Sequence, residues 1–224
     1  LIKMVEIKDS TGDFPFIILL GLLLLIGIAQ QLEGKRIALF LRSFFNGNLA
    51  DQQLRQERAF SRLALLAFSF VLMTIAAFST PVMQNLGYLS DFSNLSLFIT
   101  IFIILFFLTT ARVALYTFTS WLFEIDSLQQ QHNYHWLLTN VIGCILLIPI
   151  IAFIEFGPRL LVDYFMYSGV SILAAINGFR LLRIMYISNT VYAIKITYYF
   201  LYICTLEVIP VAISITVVLR QIGG

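Results

Sequence analysis

Charge is scarce in this chain. Asp, Glu, Lys and Arg together supply 12% of its 224 residues, against about 25% in an ordinary soluble domain. Hydrophobic residues make up 60%, and the mean hydropathy is +0.92. A soluble fold of this length has too little interior to bury so much apolar surface, so the solvent is lipid. Cysteine is nearly absent as well. Cys144 and Cys204 both fall within apolar runs, without metal-ligand spacing, and read as small core residues. The chain also lacks a nucleophile elbow, a phosphate loop, a zinc-protease HExxH and paired aspartates inside its apolar runs. Those absences remove the commonest routes to catalysis, so no enzyme activity and no cofactor are expected. Nor is there an inverted repeat of the kind many transporters carry. No cleavable signal is read, because mixed charges precede the first apolar run. Residues upstream of Leu1 are expected, since the sequence does not open on Met.

What is present is long apolar runs and aromatic side chains. Twenty-one phenylalanines and ten tyrosines suit a bundle with aromatic belts at its two interfaces. A spanning helix needs about 20 apolar residues, and six runs qualify, at about 14–31, 63–83, 95–121, 136–156, 160–184 and 194–219. The expected fold is an all-α polytopic transmembrane bundle of about six spans, in one domain from 14 to 224. Residues 1–13 precede it as a short N-terminal segment.

Lysine and arginine in short connections set orientation. The link from Glu33 to Arg62 carries Lys35, Arg36, Arg42, Arg55, Arg58 and Arg62, and Arg180, Arg183 and Lys195 flank the fifth link. The opposite side has Lys3, Lys8, Arg159 and Arg220. With six spans, both rich links fall on one side, which makes that side cytoplasmic and puts both termini in the periplasm. Within the first link, "KRIALFLRSFF" spaces Ile37, Phe40, Leu41 and Phe44 as one face of a helix lying in the headgroup plane. "NGN" at 46–48 breaks it, and Arg55, Arg58 and Arg62 then form one stripe. These basic residues read first as headgroup anchors and topology determinants, and second as a docking face for an acidic partner. Nucleic acid is not expected.

Ionisable groups within the hydrocarbon carry the most information, because each costs a few kcal/mol (about 3) unless paired or protonated. Arg112 lies in the third run and Glu207 near the middle of the sixth, with Pro210 three residues on. Pro210 removes an intrahelical hydrogen bond and predicts a kink, and Thr205 is placed to satisfy a local carbonyl. Arg112 and Glu207 are a candidate pair. It reads first as a structural tie that sets helix register, and alternatively as a proton relay or ion site. The two histidines, His132 and His135, are spaced i, i+3 in "QQQHNYHW". They read as an interfacial, solvated pair before an anchoring Trp136. As metal ligands they are weak candidates, which Glu124 and Asp126 would have to complete.

Three stretches, "LRSFF" at 41–45, "FEIDSLQQQHNYHWLL" at 123–138 followed by "GCILLIPI" at 143–150, and "YYFLYICTLEVIP" at 198–210, resemble an uncharacterised family of bacterial integral membrane proteins. That family is widespread in Bacteroidota and is known as a domain of unknown function. The resemblance implies an inner-membrane location and places Glu207 and Pro210 in the family's terminal motif, without implying an activity. The expected role is a non-enzymatic membrane subunit: a scaffold, anchor or assembly factor whose partners are the bilayer and other membrane subunits. The alternative is a small transporter or proton-coupled component that uses Glu207 as its protonatable group.

Overall fold

The computed structural model describes residues 14–45, 62–85, 93–123 and 126–191. Among them every regular element is an α-helix: α1 (Phe14–Phe45), α2 (Arg62–Asn85), α3 (Asn94–Phe123), α4 (Asp126–Phe156) and α5 (Arg159–Val191). Among the described residues five stretches are long and apolar enough to cross a membrane: 14–32, 64–85, 94–118, 133–156 and 160–180. Their ends fall within about four residues of the first five expected spans. The sixth, 194–219, lies outside the described residues, as do residues 1–13.

Helix is the form such a sequence takes in lipid, where each backbone polar group must find its partner inside its own segment. The side-chain hydroxyls follow the same rule. Thr74 donates to the Phe70 carbonyl at 2.8 Å, Thr80 to Ala76 at 2.9 Å, Thr100 to Ser96 at 2.8 Å and Thr117 to Val113 at 2.9 Å. Each bond returns a hydroxyl to the carbonyl one turn back.

Two helices run further than their apolar cores require. α1 continues through "KRIALFLRSFF" to Phe45, so that stretch extends the first spanning helix instead of starting a separate one in the headgroup plane. Its leucines, alanine, lysine and arginines are good helix formers, and the single Gly34 is not enough to interrupt them. The expected break at "NGN", 46–48, lies outside the described residues. α4 starts at Asp126, well before the apolar run, because no glycine or proline interrupts "DSLQQQHNYHW".

The core lies between α2 and α4. Half of α2's spanning window and 44% of α4's are buried, against 6% for α3 and 11% each for α1 and α5. On α4 the buried positions His135, Leu138, Cys144, Leu147, Ile151 and Ile154 recur at intervals of three and four and their multiples, the stripe of one helical face. Of these, Cys144, Leu147, Ile151 and Ile154 share one core cluster with Phe70, Val71, Ala77 and Phe78 of α2 and with Ile18 and Leu22 of α1. α5 joins through Met166 and through Gly169, where an added Cβ would come within 2.5 Å of the Phe78 ring and 3.4 Å of Leu147. Phe153 of α4 and Phe165 of α5 stack with centroids 4.8 Å apart. α3 touches the rest along a thin stripe from Leu97 to Tyr116.

α4 and α5 are joined by Gly157 and Pro158 alone. The Gly157 amide donates to the Phe153 carbonyl at 2.9 Å, and a Cβ at 157 would run into that same carbonyl, so glycine is required there. Pro158 follows where a helix cannot continue, and its carbonyl accepts from the Leu161 amide at 3.0 Å.

The chain divides into two compact units, Leu1–Asn177 and Gly178–Gly224. Of the second, the described part is the C-terminal stretch of α5, where Arg180 is 6% exposed.

Candidate functional site

Polar side chains of the first unit concentrate at its two ends. The Trp136 end holds the start of α2, the end of α3 and the start of α4. Arg112 lies about two turns inside the α3 span. Its guanidinium carbon is 5.3 Å from the centroid of the Tyr116 ring, one turn on, and 5.1 Å from that of Trp136 on α4. Phe68 of α2 closes on the other partner ring, with centroids 6.4 Å apart. Tyr116 is buried, at 1% exposed. The result is an aromatic cage that ties three helices around one cation. Contacts of this kind are worth about 0.5–2 kcal/mol each, a useful fraction of the cost of holding an arginine in the hydrocarbon.

Trp136, expected to be an interfacial anchor, also packs its ring against the Arg112 guanidinium. The i, i+4 spacing of Arg112 and Tyr116 was readable in the sequence, whereas the approach of Trp136 depends on how α3 packs on α4. His135 departs from expectation. It is 3% exposed, not solvated, because α4 is already helical at that point and 135 falls on the buried face shared by Leu138 and Thr139. Its ring meets Tyr134 edge-on, with centroids 6.0 Å apart. The side chain of His132 lies outside the described residues. Among the described residues no three His, Cys, Asp or Glu side chains gather as a metal site would require.

The Phe14 end holds the start of α1 and α3 and the end of α2 and α4. Gln84 of α2 donates from Nε2 to Oδ1 of Asn94 on α3. Asn85 donates to Oδ1 of Asp163 on α5 at 2.6 Å and to Sδ of Met166 at 3.4 Å. These amide ties fasten α2 to both neighbours where the apolar packing stops. Gln84 and Asn94 also line a small crevice, together with Phe14, Thr80 and Glu155. Glu155 lies one residue before the end of α4, and sequence reading gave Gln84 and Asn94 no role. The pair stands on either side of the α2–α3 connection, and that placement is the signal that would have found it.

Of the expected site residues, Glu207, Pro210, Thr205, Arg55 and Arg58 lie outside the described residues. Lys35, Arg36 and Arg42 fall within α1 and Arg62 opens α2, but their side chains lie outside the description too. Between them the described spans and the family profile cover nearly the whole chain, and the profile, a domain of unknown function, matches residues 15–218. The chain belongs to the DUF4271 family. Apart from Phe14, the first residue of α1, the DUF4271 match takes in all five described helices and the stretch that carries Glu207. No curated protein and no solved structure matches the chain.

Proposed function

We propose that this DUF4271 protein is a non-enzymatic integral membrane subunit, a scaffold or anchor around which a larger complex assembles. The observation that carries the reading is the uneven burial of its helices. α2 and α4 form a closely packed pair, while α3 has 6% of its spanning window buried and turns Ile103, Phe107 and Phe118 outward. Lipid covers such faces in the isolated chain, and partner helices displace lipid from them without stranding a polar group. The core favours a static role for the same reason. Its buried threonines Thr74 and Thr80 are returned to their own backbone, and its contacts are aliphatic and aromatic.

The membrane assigned by this reading is the cytoplasmic membrane of a diderm bacterium of the Bacteroidota, with both termini in the periplasm and the basic 33–62 link in the cytoplasm. Support comes from the lysine and arginine bias and from the resemblance carried by the three motifs. Affinity purification of the tagged chain in a mild detergent, followed by mass spectrometry, tests the proposal. Stoichiometric membrane partners are expected, and migration as a lone monomer overturns it.

A further inference from the structure

We draw no further inference here: the strongest candidate, the outward face of α3 along Ile103, Phe107 and Phe118, carries nothing beyond the scaffold reading, because nothing in the structure shows what covers it.

Discussion

The guanidinium of Arg112 lies 5.3 Å from the ring of Tyr116 and 5.1 Å from that of Trp136, one contact within its own helix and one across to the next. The second contact makes the cation part of the α3–α4 interface. In a Trp121→Phe background Trp136 is the sole tryptophan, and its emission reports the cage directly. Arg112→Met should shift that emission and lower stability by about 1–2 kcal/mol. Arg112→Lys should recover part of the loss, because an ammonium keeps the charge but cannot lie flat on a ring. Unchanged emission in Arg112→Met would remove the cage from the account.

Gly169 offers a sharper test of packing. A methyl group there would press into the Phe78 ring at 2.5 Å, and overpacking of this kind costs about 1–3 kcal/mol. Gly169→Ala should lower the thermal midpoint in detergent, and adding Phe78→Leu should restore part of it. Gly27, with nothing within 4 Å of an added Cβ, is the control, and Gly27→Ala should be neutral.

Cys144 is fully buried among α2 and α4 side chains, with its thiol 3.9 Å from the Val71 carbonyl. In a Cys204→Ser background a membrane-permeant maleimide should leave the folded protein unmodified and label it as the bundle opens. The labelling rate then measures opening of the core. Rapid labelling under native conditions would show that α2 and α4 separate easily.

Glu207 separates the two functional readings. In a scaffold, Glu207→Gln should reduce the yield of folded protein or leave the bundle intact, and liposomes bearing wild-type protein should conduct protons no faster than empty ones. Wild-type proton uptake lost in a well-folded Glu207→Gln variant would favour the carrier.

How much of this was legible beforehand follows from the range of each signal. Spanning segments depend on local composition, so 14–31 and 160–184 were read within a few residues of the apolar stretches 14–32 and 160–180. The helical extensions were harder, because "KRIALFLRSFF" and "DSLQQQHNYHW" are polar enough to read as links yet contain no residue that stops a helix strongly. The burial of His135 was missed with them, since placing it on a helix face requires knowing that α4 had already begun. Arg112 was singled out by its cost in lipid, but its aromatic partners come from two helices, and one of those contacts is tertiary. The crevice was invisible for the same reason: Thr80, Gln84, Asn94 and Glu155 come from three helices and share no motif.

The two-residue junction at Gly157 and Pro158 bears on how the protein is made. α4 is the most hydrophobic of the five spans and α5 the least, with Asp163, Asn177 and Arg180 along its length. A connection that short leaves no slack for α4 to enter the bilayer and wait while α5 is decided separately. The ribosome must deliver them to the insertion machinery as one helical hairpin, in which the greasier arm carries the more polar one across.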